Sequence, residues 1–291
     1  MDNREQLKQY IKACEHMIKF FTKMIDNSSP TLSTLSKEDK LKELTELRYE
    51  IKKDTWPEAE DLKTSKTQKH LKLLGELVSA PFKNKSVLEF GCSDHELSSI
   101  IKNKFDAKQV VSFDHFLYQE LDQNLLDQNV IFTDIFKVVQ QAAPYDIIIA
   151  NDVLDHLDKP VLWLKQMAQV CNKTSGRLYV RCHPWTSRNG THLSQQMNKA
   201  FLHLIFSDDE LATLGISNKY TRKITDNIET YKRFFEEANL KLLNHKIYTK
   251  SMELVILKNP VVANRIKLST RIENNINDVL EIEHIDFELK P

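Results

Sequence analysis

Three groups of residues have the types and spacing to do chemistry. The first is Glu89-Phe90-Gly91-Cys92-Ser93, where the apolar run Ser86-Val87-Leu88 passes through an acid into one glycine and small polar residues. A helical pattern follows. A buried strand feeding a tight turn and a helix N-terminus offers backbone N–H groups and a positive dipole end to a ligand. A second apolar run, Val110–Phe113, ends in Asp114, where an acid can read the hydroxyls of a ribose. Together these two junctions point to an adenosine-type cofactor. Glu89 either orients the turn beneath that cofactor or is a strand-end acid capping nearby N–H groups.

The second group follows the apolar run 145–150: Asn151, Asp152, Asp155 and His156. Asp152 and His156 sit where a cofactor and an acceptor would meet. The alternatives are a His156 satisfied by backbone at a helix N-terminus and an Asp155 that caps the next turn. The third group is the densest. From Arg181 to His192 the chain carries His183, Trp185, Thr186, Ser187, Arg188 and His192 at the end of another apolar run. His183 or His192 could act as a base, since imidazole titrates near neutral pH. Arg188 could hold a carboxylate or phosphate, and Trp185 could stack on a flat ring. The competing reading is a loop bonded to itself and closing onto a helix over 193–206. A metal variant would recruit His183, His192 and His203 with Asp94 or His95, but these spacings match no helical ligand pair.

Positioning these groups requires strands alternating with helices. Strands are predicted at 86–90, 109–113, 130–132, 145–150 and 177–182, with helices at 95–104 and 159–171. That alternation signals a parallel sheet with helices on both faces, and ligands then sit at the strands' carboxyl ends. A helix at 229–238 and strands at 241–248 and 253–257 follow, the last two as an antiparallel hairpin. Before the sheet, Leu7, Ile11, Cys14, Ile18, Phe21 and Ile25 form a helical seam, and further helices are predicted from Ser36 and over 66–78. The expected organisation is a helical element at 1–80, a domain at 81–260 with a helical insertion at 183–228, and a polar, loosely attached tail at 261–291 that is helical near 263–281.

Bulk composition narrows the function. Lys plus Arg and Asp plus Glu both number 41 in 291 residues, which disfavours a general nucleic-acid or membrane-surface binder. The four cysteines lack CxxC spacing, so they suggest neither a zinc ribbon nor a disulfide framework; reduced thiols in a cytoplasmic setting are expected. No apolar run approaches the ~20 residues of a spanning helix.

The motifs resemble those of the class I S-adenosylmethionine-dependent methyltransferases. Val87-Leu88-Glu89-Phe90-Gly91-Cys92 is similar to that family's first motif, and Asp114 to its ribose-binding acid. Thr133-Asp134-Ile135 resembles its adenine segment, and Ala150-Asn151-Asp152-Val153-Leu154-Asp155-His156-Leu157 its fourth-strand signature. The resemblance implies an α/β fold: a doubly wound, mainly parallel seven-stranded sheet with a closing antiparallel hairpin. It also implies that S-adenosyl-L-methionine is held by Glu89, Gly91, Cys92, Ser93, Asp114, His115, Asp134, Ile135, Asn151, Asp152 and His156. His183, His192, Asp152 and Arg188 are then the candidate catalytic residues, with no metal. The turn departs from the family's pattern, since Ser93 and the region of His95 stand where further glycines are usual. Lacking an Asn/Asp-Pro-Pro-Tyr signature, the chain is expected to methylate oxygen or carbon of a small molecule or sugar. A non-catalytic scaffold of the same fold and an RNA or DNA methyltransferase are the alternatives, and a homodimer through the N-terminal helices is a further expectation.

Overall fold

Runs of β-branched and aromatic residues, apolar on both faces, make the centre of the molecule a sheet buried from two sides. The structure is a computed structural model and describes residues 66–92, 96–114, 127–187, 190, 193, 201–213, 215–216, 228–249, 260–270 and 276–291. These residues belong to one unit, Glu50–Pro291. The N-terminal seam, the helix expected from Ser36 and the strand expected at 253–257 lie outside the described residues.

Helix α1 (Lys66–Leu77) precedes β1 (Ser86–Phe90), α2 (Glu96–Phe105) and β2 (Gln109–Phe113). Strand β3 (Ile131–Thr133), α3 (Phe136–Ala142), β4 (Ile147–Asn151), a 3-10 turn (Leu154–His156), α4 (Pro160–Val170) and β5 (Arg177–Cys182) complete the parallel half. Short helices α5 (Leu202–Ile205) and α6 (Asp208–Thr213) follow, then α7 (Ile228–Glu237), β6 (Lys241–Thr249), α8 (Pro260–Thr270), α9 (Ile276–Leu280) and β7 (Ile282–Lys290). The strands form one sheet in the order β3-β2-β1-β4-β5-β7-β6. Strand β7 runs antiparallel to both β5 and β6 and is the only reversed strand of the seven.

Alternation along the strands divides the core in two. Leu88, Phe90, Val111, Phe113, Ile148, Ala150, Leu178 and Val180 pack with α4 and α7 residues such as Leu164, Met167, Tyr231 and Phe235. Val87, Val110, Ile147, Ile149 and Tyr179 pack on the other face with Leu74 and Leu77 of α1 and Leu97, Ile100 and Ile101 of α2.

Two expectations need correcting. The segment 261–291 is not a loosely attached tail, because β7 fills the slot between β5 and β6 and buries Ile285, Phe287 and Leu289. The closing antiparallel partner of β6 is therefore Ile282–Lys290. Its polar face tolerates burial because Arg181, directly across the β5–β7 ladder, clasps Asp286 through Nε and Nη2 at 2.6 and 2.7 Å. The same guanidinium reaches Glu76 of α1 at 3.1 Å. The expected continuous helix over 193–206 is broken at Phe201, which is left-handed, and a short helix, Leu202–Ile205, follows it.

Candidate active site

The candidate residues lie along the carboxyl ends of β1, β2, β3, β4 and β5, the end of an open parallel sheet at which ligands generally bind. At the end of β1, Gly91 has φ +83°, and its N–H still donates to Phe113 O at 2.8 Å. A Cβ there would lie 2.6 Å from Val153 Cγ2 and 2.8 Å from Val153 Cβ. The glycine thus lets the turn after β1 nest against the segment after β4. Glu89, buried one position before the strand's end, accepts hydrogen bonds from the hydroxyls of Ser98 on α2 and Ser112 on β2. It braces the turn against both neighbouring elements, the orienting role considered from sequence. Cys92 is buried as a neutral thiol: burial, then the nearby charge of Glu89, pushes it up to about 12.

Asp114 is buried at the end of β2, with its N–H on Thr133 O at 3.2 Å. The Thr133 hydroxyl accepts the Ile135 N–H at 3.0 Å, turning the chain after β3. That turn leaves Ile135 57% exposed beside Asp134, an apolar side chain at the rim. Asn151 ends β4, and its Oδ1 is buried with no hydrogen-bond partner among the described residues. Asp152 follows with φ +51° and donates its N–H to Arg181 O at 3.0 Å.

The structure brings Asp152 and His183 together. Strands β4 and β5 pair in register at Asn151 and Arg181, so the residues just beyond them converge. His183 Nε2 lies 3.2 Å from Asp152 Oδ1, and its Nδ1 lies 2.7 Å from Glu283 O at the start of β7. A carbonyl only accepts, so Nδ1 carries a hydrogen. The Asp152 carboxylate and the His183 imidazole thus approach to ion-pair distance.

The other candidates separate. His156 does not join the pair; its Nε2 lies 3.5 Å from Asp155 Oδ2 within the 3-10 turn. The Asp155 carboxylate is fully buried there. Ser93, His115, Arg188 and His192 lie outside the described residues. Around them the loop bonds to itself: Ser187 N–H to Pro184 O, Gly190 N–H to Ser187 O, and His203 Nε2 2.6 Å from Trp185 O. His203, considered as a metal ligand, is thus a clamp on this loop. No group of three or more His, Cys, Asp or Glu side chains among the described residues is placed to hold a metal ion.

Sequence reading missed His284. It lies on β7 beside His183, ring centroids 5.7 Å apart, and stacks on Tyr248 of β6 at 4.3 Å.

The sheet order, the single reversed strand and the glycine turn define a class I methyltransferase fold. A sequence model described as a methyltransferase domain matches residues 60–245, more than half of the chain, and the chain belongs to that family. Its methyl donor is S-adenosylmethionine. No curated protein sequence matches the chain. Among solved structures it is similar to coclaurine N-methyltransferase bound to N-methylheliamine and SAH, at 15% identity and TM-score 0.49, over 81% of this chain and 74% of that one. It is similar to the cyclopropane synthase MmaA2 from Mycobacterium tuberculosis at 15% identity and TM-score 0.48, over 81% and 88% of the two chains. A SAM-dependent methyltransferase from Archaeoglobus fulgidus aligns at 14% identity and TM-score 0.45, over 77% and 92%. Among the described residues no helix is long and apolar enough to cross a membrane.

Among the described residues, the orphaned Asn151 Oδ1 is of a chemistry that suits the cofactor's ammonium group.

Proposed function

We propose that the chain methylates an oxygen or carbon atom of a small molecule or sugar, and that Asp152 and His183 handle the acceptor's proton. The observation that carries this reading is the pair itself. His183 is fixed by a backbone carbonyl on one side and lies at ion-pair distance from Asp152 on the other, at the carboxyl ends of adjacent strands.

Bound at the turn, S-adenosylmethionine supplies an electrophilic methyl group on a sulfonium. In this reading Gly91, Cys92 and Asn151 line the amino-acid end and Asp114 receives the ribose hydroxyls. Exposed Ile135 is the apolar surface that adenine covers.

On the acceptor side, a hydroxyl donates its hydrogen bond to the Asp152 carboxylate and is thereby oriented. An oxygen that gains a methyl group becomes strongly acidic, so a carboxylate is basic enough to take its proton. His183 keeps Asp152 in one orientation and offsets its charge until then. A carbon acceptor loses its proton to the same carboxylate.

The test is methyl transfer from radiolabelled donor to a panel of hydroxylated compounds, followed on the best acceptor. His183→Ala is expected to lower kcat by about a hundredfold while S-adenosylhomocysteine affinity stays within about threefold. Turnover at the parent rate would show that the pair only shapes the loop.

A further inference from the structure

We propose that His284 is a specificity-determining residue of the acceptor site: its Nε2–H donates a hydrogen bond to an acceptor oxygen of hydroxyl or enol type, and the site rejects cationic amines. This deepens the function proposed above and rests on it.

Four observations carry the inference. His284 is 9% exposed, and its Nε2 is buried with no hydrogen-bond partner among the described residues. A buried polar atom without a partner is costly and calls for an occupant. Its ring is held in one plane by Tyr248, stacked at 24°, which sits directly across the β6–β7 ladder. Its ring edge meets His183, so the orphaned nitrogen belongs to the end of the sheet that carries the Asp152–His183 pair.

The fourth observation is charge. The Arg181 guanidinium lies 5.6 Å from the Tyr248 ring centroid, and Lys246 Nζ lies 4.2 Å from it. Burial, then Arg181 and His183, hold the His284 ring well below the usual histidine range, with Lys72 adding to them and Asp152 opposing. The imidazole is therefore neutral, and its surroundings penalise an added cation. A neutral imidazole can still polarise an oxygen that develops negative charge, without giving up a proton. An ammonium acceptor would meet the same positive surroundings that hold the ring neutral, with Asp152 opposing them. His284 lies on the last strand, beyond residue 245 where the family match ends.

The test uses the full chain saturated with S-adenosylhomocysteine, catechol as the hydroxyl probe and benzylamine as the cationic probe of similar size. Long-range proton–nitrogen spectra report the histidine ring nitrogens, with His284 assigned by its disappearance in His284→Phe, which keeps a flat ring for Tyr248. Catechol is expected to move the His284 Nε2 resonance, and benzylamine at the same concentration is not. His284→Phe is expected to weaken catechol about tenfold, and His284→Gln, which restores an N–H donor, to recover part of that loss. Unchanged catechol affinity in His284→Phe, an unmoved resonance, or an equal response to benzylamine would overturn the proposal. Binding of S-adenosylhomocysteine with no catechol effect sinks this inference alone. Failure to bind S-adenosylhomocysteine sinks the function reading and this inference with it.

Discussion

Replacing Gly91 by alanine puts the whole site geometry under one stress. Two costs can be worked from the structure. At φ +83°, an alanine sits in the left-handed region, which costs about 1–2 kcal/mol for a residue with a Cβ. The new methyl would also lie 2.6 Å from Val153 Cγ2 and 2.8 Å from Val153 Cβ, and forcing an extra carbon into a packed contact costs about 1–3 kcal/mol. The expected loss is about 2–5 kcal/mol in urea unfolding, with the m-value unchanged. Val153→Ala removes Cγ2 but leaves Cβ and the φ strain. The double variant should therefore recover about 1 kcal/mol relative to additivity, not the whole loss. Because Val153 directly follows Asp152, any shift of the turn also displaces the Asp152 carboxylate, so turnover should fall in Gly91→Ala even where the protein stays folded. A Gly91→Ala variant within about 0.5 kcal/mol of the parent, or strict additivity with Val153→Ala, would refute the claim that these segments are wedged together.

Other outcomes follow from the buried charges. Arg181→Met strands the buried Asp286 and should cost about 3–5 kcal/mol by urea unfolding; Arg181→Met with Asp286→Leu should recover most of it, and a double variant no better than the single would show that the clasp matters for something else. His284 is held down to about 3 by burial and by Arg181 and His183, whereas an unfolded histidine titrates near about 6.5. Between those values the unfolded chain binds a proton that the folded ring refuses, so stability present above pH ~6.5 is lost as pH falls through the window. From pH ~6.5 to ~5 that amounts to about 2 kcal/mol, and His284→Phe should remove this part of the acid sensitivity; equal losses in both proteins would contradict it. Cys92, pushed up to about 12 by burial and Glu89, should resist iodoacetamide at pH ~8 in the folded protein and react on unfolding; fast labelling of the native thiol would show the turn to be open.

Much of the parallel half was legible because each strand is a short apolar run bounded by polar punctuation. The ranges 86–90, 109–113 and 177–182 agree with the observed strands. Strand β4 starts later than expected because Tyr145 makes only an isolated bridge to Cys171. Strand β7 was not legible for a physical reason. Ile285-Asp286-Phe287-Glu288-Leu289 alternates as a half-buried strand should, yet the acids around it suggest a solvated tail. The one of them that is buried, Asp286, is paired by Arg181, whose own partner is unreadable before β7 is placed. The same blind spot concealed His284. Asp152 and His183 were both named from sequence, but their pairing depends on the β4–β5 register and on the Glu283 carbonyl of the unread strand.

The central claim is that the crevice at Gly91 and Asp114 holds a nucleoside sulfonium. Isothermal titration with S-adenosylhomocysteine tests it most directly, in the parent and in Asp114→Ala. The account predicts saturable one-to-one binding in the parent and affinity at least about tenfold weaker in the variant, since a charge-assisted bond to ribose is removed. No heat in the parent, or equal affinity in both proteins, would contradict it.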